Sequence, residues 1–249
     1  MKERIRQIPT PEGISIEADS AAALVGRCSV SESPYFKAPD FYSMRSDEKG
    51  LTIISEYPTY QQTKGYSCGP CCVLSVLWHF GVTEYDEMRL VELCGTITEP
   101  NERKEGGTHT RGICEFFRSI GWNVESSFYA PEKNQIIFKN PAEFRDYLLE
   151  KLRAGIPVMV ENICLGAHWR AIIGYDTMGT EDTADDVLIF MDSADVRDHC
   201  QDGYTVGNME EFFDTWRDFC ALPVDQRVQQ YVAAWPPESG AGKQAGGEG

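Results

Sequence analysis

Apolar residues recur at helical spacing through the central part of the chain. The stretch 70–80 places its apolar residues on one helical face, and Gly81 follows it as a stop signal. Asn140-Pro141 provides a cap followed by a proline in the first turn, which predicts the start of another helix. The predicted helices cover residues 70–80, 84–93, 108–120, 140–153 and 210–219, with Thr108 capping the third.

Short segments rich in β-branched and apolar residues predict strands, most of them in the C-terminal part of the chain. The acidic insert 178–186 separates two of these segments and is predicted to be an exposed loop. Helices that precede strands indicate an α+β fold rather than alternating βαβ units. The predicted strands cover residues 51–57, 122–128, 156–162, 168–175, 187–191 and 228–235.

The two ends of the chain differ from its middle. Residues 1–50 mix Ser, Pro and charged residues with weak periodicity, which indicates an irregular N-terminal arm and, from position alone, a candidate cover for a cleft. Residues 236–249 are rich in Gly, Pro and Glu without apolar anchors, so we expect a disordered tail. One folded domain is predicted over residues 51–235, because 249 residues suit one domain better than two.

Composition and charge narrow the classes of function. A net charge of −16 with scattered Lys and Arg argues against a nucleic-acid partner. No run of 18 apolar residues is present and the N-terminus lacks a signal segment, so we expect no membrane span and a cytoplasmic location. Nine cysteines, an odd number, indicate mostly reduced thiols. Cys94, Cys114 and Cys164 lie among apolar neighbours and are interpreted as small buried side chains.

Cys68 is the strongest candidate for chemistry. It directly precedes the predicted helix at 70–80, where a helix N-terminus lowers a thiol pKa and favours the nucleophilic thiolate. Gln62 lies six residues upstream, within reach to stabilise a developing oxyanion with its amide. A buried cysteine at a helix start, with Gln62 as an ordinary loop residue, explains the same pattern equally well when it is taken alone.

A nucleophilic cysteine needs a base and a group that orients the base, and two strands supply candidates. His168 opens the strand 168–175, and Asp192 ends the strand 187–191. If these strands pair as an antiparallel hairpin, the start of the first lies beside the end of the second, which brings the two side chains together. Asp195 competes with Asp192 because a short turn could direct it to the same histidine. A core histidine and a strand-end cap are the structural alternatives.

The other histidines carry less weight. His79 falls on the polar face of its helix, His109 lies in a first helical turn and is expected to be solvated, and His199 lies in a loop of turn-forming residues. Cys68 and Cys71 form a C-x-x-C run, but no second pair of ligands accompanies them, so no metal and no cofactor are expected.

These residues resemble the bacteriocin-processing (double-glycine leader) peptidase family of papain-like cysteine peptidases. The resemblance implies Cys68 as nucleophile, His168 as base, Asp192 as orienting carboxylate and Gln62 as oxyanion donor. Ser193 departs from the proline common in the family after the aspartate, and the acidic insert lengthens the separation of His168 and Asp192 to 24 residues. The matching segments are 62–72, 166–169, 172–176, 190–194 and 209–216, within a resemblance over about 55–220.

The resemblance implies a papain-like fold, with an N-terminal helical half, including the nucleophile helix, packed on a C-terminal antiparallel sheet. It also implies hydrolysis of a peptide or isopeptide bond, in a peptide or small peptide-like substrate, through a thioester on Cys68. Three alternatives stay open: transpeptidation as in the related phytochelatin synthases, thiol–disulfide exchange by Cys68 and Cys71, and an inactive peptidase-like binding module. The sequence indicates no oligomeric state.

Overall fold

The structure is a computed structural model that describes residues 5–24, 34–35, 37–162, 167–196, 200–219 and 221–237. Predominantly helical segments come first and most strands follow, so the predicted α+β class is confirmed. The helices are α1 (Ala21–Leu24), α2 (Cys68–His79), α3 (Glu87–Leu93), α4 (Thr110–Ser119), α5 (Pro141–Arg153) and α6 (Met209–Thr215). The strands are β1 (Leu51–Ile53), β2 (Asn123–Ser126), β3 (Val158–Asn162), β4 (His168–Asp176), β5 (Val187–Met191), β6 (Tyr204–Asn208) and β7 (Tyr231–Trp235).

Side-chain caps set the helix starts. Asn140 accepts a hydrogen bond from the Glu143 amide at 2.9 Å, and α5 has the predicted bounds. The start predicted for α3 at residue 84 was wrong, because Asp86 caps the helix by accepting from the Arg89 amide at 2.8 Å. The cap predicted at Thr108 was also wrong, since α4 begins at Thr110 after His109.

One antiparallel sheet runs in the order β2-β7-β3-β4-β5-β6, and β1 pairs with the end of β4. Strand β4 is central: β3 lies beside its start, with Asn162 opposite His168, and β5 lies on its other edge. The predicted hairpin of β4 and β5 is confirmed, with Ala171 opposite Met191. Continuing that register places Asp192 opposite Arg170, one diagonal step from His168 on the same face.

Helix α2 packs against β4 and α3 at the centre of the molecule. Its residues from Cys68 to Leu77 are all buried. The helix is therefore enclosed on every side and not only on the apolar face that the sequence predicts. Gly69 allows a close approach to Thr108: a Cβ atom at position 69 would lie 2.7 Å from the Thr108 Cβ. Helix α2 therefore lies between the sheet and the segment that leads into α4.

Several predicted segments were too long or were missed. Strands β1, β2 and β7 are shorter than predicted, and residues 127–129 form a 3₁₀ turn after β2. Strand β6 was not predicted at all, and α6 ends at Thr215 rather than at residue 219. The insert 178–186 is largely exposed as predicted, but its last residue, Asp186, is buried and accepts a hydrogen bond from the Tyr175 hydroxyl.

The N-terminal arm packs along the domain where it is described. The Ile8 amide donates to the Thr59 carbonyl at 2.8 Å, and the Thr59 amide donates to the Arg6 carbonyl at 3.0 Å. The boundaries at residues 50 and 235 stay predictions, and the tail from residue 238 lies outside the described residues. Among the helices of the described part of the chain, none has the length and hydropathy needed to cross a membrane.

Candidate active site

Cys68 is the first residue of α2, and its side chain reaches a surface cleft although only 6% of the residue is exposed. The sequence placed it just before the helix, and the structure places it in the first turn, where the helix dipole favours a thiolate. Several small residues line the cleft around the sulfur, beside larger ones such as Tyr66 and Ile97. The small residues include Gly65, Gly106, Gly107, Ala167 and Ala221.

His168 and Asp192 come together as the hairpin predicts. His168 Nε2 lies 2.7 Å from Asp192 Oδ1, and both side chains are buried. The Cys68 thiol is hydrogen-bonded to His168, and because Nε2 faces Asp192, the nitrogen left for the thiol is Nδ1. The three candidates are therefore connected in the order thiol, imidazole and carboxylate.

The charges in this array support one another. Burial alone raises the pKa of the Cys68 thiol, but the hydrogen bond and charge of His168 bring it below its ordinary value of 9.0. Burial alone lowers the pKa of His168, but the charge and hydrogen bond of Asp192 raise it to about 10. Burial raises the pKa of Asp192, whereas His168 lowers it to about 2. The arrangement favours a thiolate–imidazolium pair beside an ionised carboxylate.

Asp192 is held by two further donors. The Ala194 amide donates to Oδ1 at 2.9 Å, and the Thr205 hydroxyl of β6 donates to Oδ2 at 3.1 Å. The competing carboxylate of Asp195 uses Oδ2 to accept from the Gly203 amide at 3.0 Å. The geometry therefore favours Asp192 over Asp195 as the group that orients His168.

Gln62 is buried beside the same turn. Its Nε2 donates to the Lys64 carbonyl at 2.8 Å, and its Oε1 accepts from the Ser193 hydroxyl at 2.9 Å. The backbone N–H of Gln62 also donates to the Ser193 carbonyl at 2.9 Å. Since Ser193 holds the carbonyl end of the side chain, the two N–H groups face the other way, and one of them stays available beyond the bond to Lys64.

The loop between Gln62 and Cys68 is anchored by a carboxylate in the core. Glu87, on α3, has no exposed surface and accepts hydrogen bonds from Thr63 N at 2.9 Å, Thr63 Oγ1 at 2.6 Å and Ser67 Oγ at 2.5 Å. The Tyr60 hydroxyl donates to it at 2.9 Å. A fully satisfied buried carboxylate fixes the residues that flank both the candidate oxyanion donor and the candidate nucleophile.

The other buried thiols among the described residues are less suited to nucleophilic attack. Burial and the nearby Glu87 charge raise the pKa of Cys71 well above 9.0, and burial does the same for Cys72. Cys94 and Cys114 are buried as predicted. The predictions for Cys164 and His199 fall outside the described residues.

The predictions for two other histidines need correction. His79 is not simply a polar-face residue, because its Nε2 lies 2.8 Å from the Gly155 carbonyl and its ring packs on Tyr57. His109 is half-buried rather than solvated, and burial lowers its pKa. Within the described ranges, no group of three or more His, Cys, Asp or Glu side chains is arranged to hold a metal ion.

Comparisons with known proteins give a family match and structural matches. A family model described as the Peptidase_C39 like family matches residues 54–222. Among solved structures, the peptidase domain of Streptococcus ComA, described as a bifunctional ABC transporter involved in a quorum-sensing pathway, is 18% identical with a TM-score of 0.43. That match covers 76% of this chain and 100% of the domain. No curated protein sequence matches the chain significantly.

Proposed function

The chain belongs to the Peptidase_C39 like family, and from that premise we propose that it hydrolyses a peptide or isopeptide bond with Cys68 as nucleophile. The observation that carries the proposal is the buried array of Cys68, His168 and Asp192 at the edge of a cleft. An inactive binding module has no need of a thiol pKa lowered at a cleft by a histidine that a buried carboxylate orients.

The reaction starts from the thiolate–imidazolium pair. The Cys68 sulfur attacks the carbonyl carbon of the substrate, and the negative charge moves to the carbonyl oxygen. The second N–H of the Gln62 side chain and the backbone amide at the start of α2 are the donors that stabilise that oxygen in this proposal. When the tetrahedral intermediate collapses, the amine leaves with a proton from His168, and a thioester remains on Cys68.

Water completes the cycle. His168, now neutral, takes a proton from a water molecule as the oxygen attacks the thioester carbonyl, and Cys68 leaves as the thiolate. Asp192 stabilises the imidazolium in both half-reactions and keeps the ring oriented. If an amine of a second substrate replaces the water, the same site performs transpeptidation. This is the alternative reaction, which the phytochelatin synthases carry out.

The experiment is a peptide-library and metabolite screen scored by mass spectrometry on the wild type, Cys68→Ala and Cys71→Ser. We expect cleavage by the wild type, complete loss in Cys68→Ala, and largely retained cleavage in Cys71→Ser. Equal loss in both variants, together with disulfide reductase activity, would replace the peptidase by thiol–disulfide exchange. New amide products rather than hydrolysed ones would assign the transpeptidase reaction.

A further inference from the structure

The N-terminal arm lies directly on the loop that carries Gln62, although the family match begins only at residue 54. The Glu17 amide donates to the Thr63 carbonyl at 3.0 Å, and the Ala22 amide donates to the Gln62 carbonyl at 3.0 Å. These two backbone bonds set residues 17–22 against the outer side of the loop. The arm therefore supplies hydrogen-bond donors to two backbone carbonyls of the loop.

The Glu17 side chain adds two contacts to the same loop. Its Oε2 accepts a hydrogen bond from the Gly65 amide at 2.9 Å, and its Oε1 lies 3.9 Å from the Lys64 ammonium. The Lys64 side chain is only 11% exposed, whereas the Glu17 side chain is 40% exposed. Glu17 thus acts from the solvent side on a loop that Glu87 holds from the core.

The bond to Gly65 matters because of the peptide group to which that amide belongs. The Gly65 N–H and the Lys64 carbonyl are the two ends of one planar peptide unit. Glu17 accepts from its N–H, and its carbonyl accepts from Gln62 Nε2 at 2.8 Å. Because the unit is rigid, the orientation that Glu17 favours for the N–H is shared by the Lys64 oxygen, which accepts from Gln62 Nε2 and also from Ser67 Oγ at 3.0 Å.

We propose that Glu17 is a positioning residue for the reaction and that the arm belongs to the catalytic unit. The inference rests on the proposed peptidase function and on Gln62 as an oxyanion donor. With Glu17 in place, the Lys64–Gly65 peptide holds Gln62 Nε2 in one orientation. Without it, the peptide rotates more freely, and the amide spends less time where the oxyanion forms. Displacement of the arm lowers turnover but leaves substrate binding in the cleft unchanged.

The test uses full-length variants. Glu17→Ala removes the acceptor, Glu17→Gln keeps an oxygen that can accept from Gly65, and Glu12→Ala is the matched control because Glu12 is an exposed arm glutamate. With a cleaved peptide from the screen, we expect kcat of Glu17→Ala to fall about tenfold with KM unchanged, since oxyanion stabilisation acts on the transition state. Glu17→Gln should recover most of the loss, and Glu12→Ala should match the wild type.

A double-mutant cycle separates positioning from general support of the fold. In a Gln62→Ala background, Glu17→Ala should cause little further loss of kcat, because the group it positions is already gone. Fully additive losses, or a rise of KM alone, would overturn the proposal.

Hydrogen exchange of the segment 62–66, followed by mass spectrometry, gives a readout that does not depend on turnover. Exchange should be faster in Glu17→Ala than in the wild type, and unchanged in Glu12→Ala. If the wild type cleaves nothing in the screen, the peptidase function fails, and exchange alone decides whether Glu17 holds the loop. Unchanged exchange of segment 62–66 in Glu17→Ala would refute the positioning role of Glu17, whatever the activity of the variant.

Discussion

Replacing Asp192 by Asn separates the charge of this group from its hydrogen bond. The carboxylate raises the pKa of His168 from 6.5 to about 10 together with the Cys68 thiolate, which corresponds to about 5 kcal/mol in favour of the protonated ring. If Asp192 supplies about half of this, Asp192→Asn costs the thiolate–imidazolium pair about 3 kcal/mol, or about two pH units. The Asn side chain still accepts a hydrogen bond, so the ring stays in place.

The assay is the rate of Cys68 alkylation by iodoacetamide as a function of pH, scored by mass spectrometry. In the wild type, the alkylation rate should fall as the thiolate is protonated, and the midpoint of this acid limb of the profile should lie below pH 9.0, because His168 lowers the pKa of the Cys68 thiol. In Asp192→Asn we expect this limb to move to higher pH, because the ring then has a lower pKa, loses its proton earlier and no longer lowers the pKa of the Cys68 thiol. Asp195→Asn is the control and should leave the limb unchanged. An unmoved limb in Asp192→Asn, or an equal shift in Asp195→Asn, would refute the assigned pairing.

Two further substitutions test the surroundings of the site. Ser193→Ala removes the donor to Gln62 Oε1, so we expect kcat to fall about five- to tenfold with KM little changed, equivalent to one hydrogen bond of about 1 kcal/mol. A change in KM alone would contradict this role. Gly69→Ala brings a methyl group to 2.7 Å from Thr108, so we expect a loss of about 1–3 kcal/mol in the free energy of unfolding, measured by urea denaturation. An unchanged urea midpoint would show that the approach of the two segments is not tight.

Local signals in the sequence predicted the elements that depend on neighbouring residues. Helix α5 has the predicted bounds because Asn140 caps it, Pro141 opens it and Gly155 follows its end. The hairpin of β4 and β5 was also predictable, since both strands are apolar and close in sequence. Strand β6 was missed because Tyr204–Asn208 is short, contains Gly207 and gains its stability from pairing with β5.

The candidate site divides in the same way. The motif around Cys68, and the strands that carry His168 and Asp192, predicted which side chains would meet. The residues that support them could not be read from the sequence, because their contacts span large separations along the chain. Ser193 reaches Gln62 across 131 residues, and Glu17 reaches Gly65 across 48. Ser193 was visible only as a departure from the proline of the resembled family, without an indication of its role.

Site-resolved alkylation is the most direct test of the central claim that Cys68 is the activated thiol. Iodoacetamide is added to the folded protein at pH 6, and modification of each cysteine is followed by peptide mapping. We predict that Cys68 reacts at least about 100 times faster than Cys71 and Cys72, whose pKa values lie well above 9.0. It should also outrun the partly exposed Cys200. Preferential modification of Cys200, or no preference at all, would contradict the account and favour a binding module without catalysis.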